Sequence, residues 1–100
     1  MMGDGPIRVL VVDDSEFFAE VTAETLASEH GFETVARESA RAGMEFLEDE
    51  RVDCIVSDYE MPAMTGLELL ERVREDDPER PFILFTGRGS EEIASEAIAA

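Results

Sequence analysis

An α/β fold built on a parallel sheet is what this sequence predicts, and three observations predict it. Apolar runs of strand length alternate with segments of helical period. Strand-like runs lead into residues that cap helices. No linker, internal repeat or low-complexity stretch interrupts the alternation. Repeated strand-helix units imply parallel strands, right-handed crossovers and helices on both faces of the sheet.

The elements follow in order. Ile7 to Val12 is a β-branched run broken only by Arg8, and Asp13, Asp14 and Ser15 close it as helix-capping residues. The first helix then places Phe18, Val21, Thr22, Thr25 and Leu26 on one stripe, and Gly31 after His30 is its stop. Phe32 to Arg37 alternates in character as an edge strand does. Ser39 caps a second helix whose inward stripe is Ala40, Gly43, Met44 and Leu47. Cys54 to Ser57 is a third strand. Beyond Pro62, the stripe Gly66, Leu69, Leu70, Val73 marks a third helix, halted by the acidic run before Pro78. Phe82 to Phe85 is a fourth strand, apolar enough to read as interior. Ser90 caps a last helix with Glu91 and Glu92 in its first turn and Ala94, Ala97 and Ile98 facing inward.

Composition limits the function classes. The 100 residues suit one domain, residues 1–100, and 44% hydrophobic content suffices for a core. With 25 acidic against 8 basic residues and a formal charge of −17, the surface repels nucleic acid phosphates and anionic lipid. Direct nucleic acid binding and membrane binding are therefore not expected. There is no apolar run of membrane-spanning length and no secretion signal in the first residues, which predicts a cytoplasmic protein. All eight basic residues are arginine. An acidic shell without lysine resembles proteins of salt-accumulating halophiles, where screening falls to about 3 Å at 1 M salt. The competing reading is an acidic protein with a basic partner.

In open parallel sheets, ligands bind beyond the carboxyl ends of the strands. Strand one ends in Asp13 and Asp14, strand three in Ser57 and Asp58, and strand four in Thr86 and Gly87. If strands one and three are neighbours, three carboxylates converge, and charges so close do not all stay ionised without a cation. Oxygen-only ligands favour Mg2+, which keeps several waters and leaves positions for a phosphoryl group. Taken singly, each acid reads as well as a loop cap.

These residues also carry a resemblance. Val11-Val12-Asp13-Asp14-Ser15, then Asp58-Tyr59-Glu60-Met61-Pro62-Ala63-Met64-Thr65-Gly66, then Phe85-Thr86-Gly87 resemble the successive signatures of receiver domains of two-component response regulators. The resemblance spans essentially the whole chain. It implies a flavodoxin-like sheet of strand order 2-1-3-4 and a signalling switch, not an enzyme. Asp58 would be the phosphoacceptor, attacking the phosphorus of a phosphohistidine on a sensor histidine kinase or of a small phosphodonor. Asp14 would bind Mg2+ directly and Asp13 through water, with Asp58 and the main-chain carbonyl of Glu60 completing the protein's share. Thr86 would give its hydroxyl to a phosphoryl oxygen and swing inward as the switch, with Gly87 leaving the pocket open. Glu60 and Arg88 are candidates for a gate across the entrance, or else two solvated loop charges.

The sequence departs from that family in two ways. It contains no lysine, where receivers carry one at the end of the fifth strand, and it stops before a fifth strand and helix. The expectation is a receiver truncated at its C-terminal side, from a protein with a following output domain. An apolar edge at strand four, or the face of the helix capped by Ser90, would then pair with a second copy. Two other classes stay open. One is a Mg2+-dependent phosphatase or phosphotransferase with Asp58 as nucleophile; the other is a scaffold that binds without phosphorylation. Cys54, His30, Met44, Met61 and Met64 read as structural.

Overall fold

In the computed structural model, residues 6–61 and 63–85 are described. They form β1 (Arg8–Val12), α1 (Glu16–His30), β2 (Glu33–Arg37), α2 (Ala40–Asp49), β3 (Cys54–Asp58), α3 (Gly66–Asp76) and β4 (Phe82–Phe85). All pairings are parallel and the order is β2-β1-β3-β4, the one implied by the sequence. The helix expected from Ser90 onward lies outside the described residues, as do Thr86, Gly87 and Arg88.

Strand alternation divides the core. Leu10 and Val12 point to one face, where they pack with Ile55, Ala40, Leu69 and Val73 under α2 and α3. Val9 and Val11 point to the other, against Ala23 and Leu26 of α1. Leu10, Val11, Val12 and Ile55 are fully buried, each contributing about 1.5–3 kcal/mol by removal from water. A strand apolar on both sides is what two-sided cover requires.

The caps at Ser15 and Ser39 fall where the sequence places them; the one at Thr65 comes from the structure. Ser15 Oγ accepts from Phe18 N–H at 3.4 Å, and Ser39 Oγ from Ala42 N–H at 3.0 Å. Thr65 and Glu68 complete a reciprocal capping box at the start of α3. Gly31 takes the left-handed conformation, φ 71°, and its N–H donates to Ala27 while Phe32 N–H donates to Leu26, closing α1.

Two expectations need correction. On α1 the buried residues are Ala19 and Ala23, with Thr22 and Leu26 beside them, whereas Phe18, Val21 and Thr25 are exposed. The helix carries a second apolar strip next to its packed one, and the small residues allow the close approach to β1. Strand β4 is not buried on both faces. Phe82 joins the core beneath α2 and α3, but Ile83, on the α1 side, is 56% exposed. Among the described residues α1 alone covers that face, and it lies over β1 and β2.

At the N-terminal ends of the strands, Arg8 ties the sheet together. Its guanidinium reaches Glu33 at 2.9 Å and Glu50 at 3.0 Å, and its backbone N–H donates to Asp53 at 2.9 Å. Arg8 and Arg37 both lie against the Phe46 ring, 5.4 and 4.9 Å from its centroid.

Two substitutions in the β3–α3 connection should act in opposite directions. A Cβ on Gly66 would run into the Asp58 carbonyl oxygen and Leu84 Cδ1, so Gly66→Ala is expected to cost about 3 kcal/mol. Ala63 sits at φ 70°, so Ala63→Gly is expected to gain roughly 0.5–1 kcal/mol after glycine's entropic cost. Urea denaturation midpoints measure both.

Candidate functional site

Parallel register builds the site. Val12 pairs with Ser57, so the next residue on each strand path, Asp13 and Asp58, emerges at the same end of the sheet. Asp14 follows, and one carboxylate oxygen from each of Asp13, Asp14 and Asp58 lies within 4.8 Å of the others. The convergence expected from the sequence is present.

The three acids differ in surroundings. Asp13 is buried, 4% exposed, and one of its oxygens accepts the Ser15 N–H at 2.9 Å. Asp14 is exposed and Asp58 half-buried. Asp14 is thus the acid most open to solvent. Burial pushes the Asp13 carboxyl above its ordinary value; the Ser15 N–H opposes this and the charge of Asp14 adds to it. Burial likewise raises Asp58, reinforced by the charge of Asp13, while the backbone of Glu60 draws it back. A cation held among the three would relieve both burial and repulsion.

The surrounding chain fixes these groups. Ser57, fully buried, donates its hydroxyl to the Asp58 carbonyl at 3.0 Å. Tyr59 N–H donates to the Phe85 carbonyl and Gly66 N–H to the Tyr59 carbonyl, both at 2.8 Å, so the segment after Asp58 is stitched to β4 and α3. Met61 is buried in the core below.

A cleft of about 670 Å3 opens above the acids. Among the described residues it is lined by Asp13, Asp14, Ser15, Phe18, Asp58, Glu60 and Phe85. Glu60 also lines an adjoining hollow with Asp14, Tyr59, Met61 and Thr65. It therefore stands beside the site as expected, whereas its suggested gate partner Arg88, the switch candidate Thr86 and the neighbouring Gly87 lie outside the described residues. Phe18 and Phe85 were not among the expected site residues: the helical period assigned Phe18 to the packed stripe, and the apolar run absorbed Phe85 into a strand.

The remaining singletons behave as structural residues. Cys54 is half-buried beside Val9 and Val11, and burial pushes its thiol up, away from the reactive thiolate. His30 stacks on Phe32 with centroids 5.5 Å apart.

Comparison with known proteins gives a consistent picture. The family described as response regulator receiver domain matches residues 9–100. The transcriptional regulatory protein GlrR of Escherichia coli K12 is 34% identical over 89 residues, covering 89% of this chain and 20% of GlrR. The chemotaxis protein CheY of Treponema pallidum is 34% identical over 98 residues, covering 93% of this chain and 66% of that protein. Among solved structures, Vibrio cholerae chemotaxis protein CheY4 superposes with a TM-score of 0.85 at 31% identity, over 95% of this chain and 80% of CheY4. The chain thus spans about a fifth of one of these curated relatives and about two thirds of the other.

The charge arrangement predicts a pH dependence. Because the fold raises Asp13 and Asp58 above the ordinary carboxylate value of 3.8, their neutral forms are favoured in the native state. Without a cation their contribution to stability is fully present below pH 3.8 and is lost as pH rises through the native values. Asp13→Asn should accordingly raise the melting temperature by a few degrees at pH 7 in chelator, and the gain should disappear below pH 3.8. Thermal scans across pH measure this.

Proposed function

This chain belongs to the response regulator receiver domain family, and on that footing we propose that it is a phosphoacceptor switch whose Asp58 takes a phosphoryl group from a sensor histidine kinase. The observation that supports this most directly is the meeting of Asp13, Asp14 and Asp58 within 4.8 Å at the carboxyl end of adjacent parallel strands. Receiver domains are signalling modules of two-component systems, not metabolic enzymes.

The reaction proposed is attack by an Asp58 carboxylate oxygen on phosphorus, forming an acyl phosphate. Asp58 is held for this by the Ser57 hydroxyl on its carbonyl and by the backbone that follows it. Asp13, Asp14 and Asp58 form an oxygen-only donor set that suits Mg2+, with the Glu60 carbonyl as a further candidate ligand. Bound there, Mg2+ would neutralise charge between the acid and the incoming phosphoryl group. Asp13, with one oxygen already accepting the Ser15 N–H, would be the less available ligand and would act chiefly through water, whereas Asp14 faces solvent.

Three further parts belong to the same proposal. Thr86 is the residue proposed to engage a phosphoryl oxygen and switch the domain. Glu60 is proposed to bear on the lifetime of the acyl phosphate from its place on the cleft wall. The chain is proposed to act as the receiver portion of a longer protein with an output domain, as its coverage of GlrR suggests.

In the natural full-length protein, a small phosphodonor with Mg2+ should label Asp58, and Asp58→Asn should lower incorporation at least 100-fold, the order of loss expected for removing a nucleophile (roughly 3 kcal/mol or more). Mass spectrometry of the intact protein reads the result. Undiminished labelling of Asp58→Asn would overturn the proposal, and steady release of phosphate from a small ester would point to a phosphatase.

A further inference from the structure

Helix α1 combines slight packing with unbalanced charge. Its buried residues are two alanines, Ala19 and Ala23, with Leu26 partly buried beside them, whereas α3 buries Leu69, Leu70 and Val73. The larger apolar side chains Phe17, Phe18 and Val21 are exposed and add little hold. The helix carries four glutamates and no arginine, and none of the four makes an ion pair among the described residues. Glu16, Glu20 and Glu24 follow one another at four-residue spacing, all exposed, and like charges at that spacing oppose a helix. Glu16, in the first turn, gains from the helix dipole; Glu20 has a like charge on each side and no such gain. On α3 the same spacing sets Glu68 and Asp76 on either side of Arg72.

Distance decides how salt acts on these charges. Side chains four residues apart on a helix have Cβ atoms about 5–6 Å apart. That is shorter than the screening length of about 10 Å at 0.1 M salt and longer than the roughly 3 Å at 1 M. The repulsion along α1 is therefore felt at the lower concentration and largely screened at the higher, with no bound ion required. The opposite charges along α3 respond in the reverse sense. Ser15 carries the effect to the acids: its hydroxyl caps α1 by accepting from Phe18 N–H at 3.4 Å, and its own N–H donates to a carboxylate oxygen of Asp13 at 2.9 Å. Winding of the first turn fixes Ser15, and Ser15 fixes Asp13.

We propose that α1 is a salt-responsive element: at low ionic strength the repulsion centred on Glu20 opens the helix ahead of the rest of the fold, and through Ser15 the opening loosens Asp13 in the acid cluster. High salt closes both. Such opening acts on the order of the site, not on the chemistry at Asp58, and is independent of the phosphoacceptor reading. The −17 charge of the chain adds a repulsion common to all elements, so the signature of α1 is its excess response over α3.

Hydrogen exchange of the natural full-length protein tests this, read at single amides in chelator at about 0.1 and about 1 M KCl, either side of the change in screening. Between the two, exchange should slow about two- to fivefold more in α1 than in α3, the effect of two like-charge contacts. The Ser15 N–H should slow with α1. Glu20→Arg turns both like-charge contacts into attractive ones and should bring the α1 response down to that of α3. Glu79→Arg makes the same change of net charge in the loop before β4 and should leave the excess in place. An α1 response no larger than that of α3 in the wild type overturns the proposal, as does an excess that survives Glu20→Arg. Loss of the excess in Glu79→Arg overturns it too, because net charge alone would then act. Slowing confined to α1, with the Ser15 N–H unchanged, overturns the link to the acid cluster.

Discussion

The mutual repulsion of Asp13, Asp14 and Asp58 is the constraint around which the rest of the fold is organised. Unfolded, Asp58 moves freely away from the adjacent Asp13 and Asp14 in water. Folded, they are brought to one end of the sheet by the pairing of β1 with β3, and burial raises the cost of keeping Asp13 and Asp58 ionised. What opposes that cost is not local. It is the two-sided apolar core of β1, where Leu10, Val11 and Val12 are fully removed from water directly behind the acids. The cluster is thus a destabilised site carried by the best-packed strand, a common arrangement where function needs charges that stability alone would disperse.

The loops are arranged to hold this arrangement in place. Ser15 serves both the helix and the site, capping α1 with its hydroxyl while its N–H holds Asp13. After Asp58 the backbone is pinned by bonds to Phe85 and Gly66, and Gly66 permits α3 to start against the Asp58 carbonyl itself. A side chain there would displace the backbone of Asp58.

Much of this was legible in the sequence, for physical reasons that vary by element. The acid pair after Val12 and Asp58 were readable because strand ends in parallel sheets are where ligands bind, the segment from Asp58 to Gly66 through its resemblance to receiver signatures, and the caps at Ser15 and Ser39 because capping chemistry is local. The face of α1 was not readable. Ala19, Thr22, Ala23 and Leu26 repeat at the same spacing as Phe18, Val21, Thr22 and Thr25, so period alone cannot choose between adjacent strips. The choice is made by how closely α1 approaches Val9 and Val11, which only the small residues permit. The exposure of Ile83 was hidden likewise: a continuous apolar run such as Phe82 to Phe85 reads the same whether one face is covered or both. The aromatic side of the cleft escaped notice because both its members had already been assigned to packing.

The Arg8 assembly gives the domain a mechanical polarity. One guanidinium joins β1 to β2 through Glu33 and to the end of α2 through Glu50, and the same residue's backbone holds Asp53 just ahead of β3. The end of the sheet remote from the acids is therefore a fixed base, whereas the acid end is held chiefly by loop backbone. The ion pairs of Arg8 thus resist sliding of β1 against β2 and the end of α2.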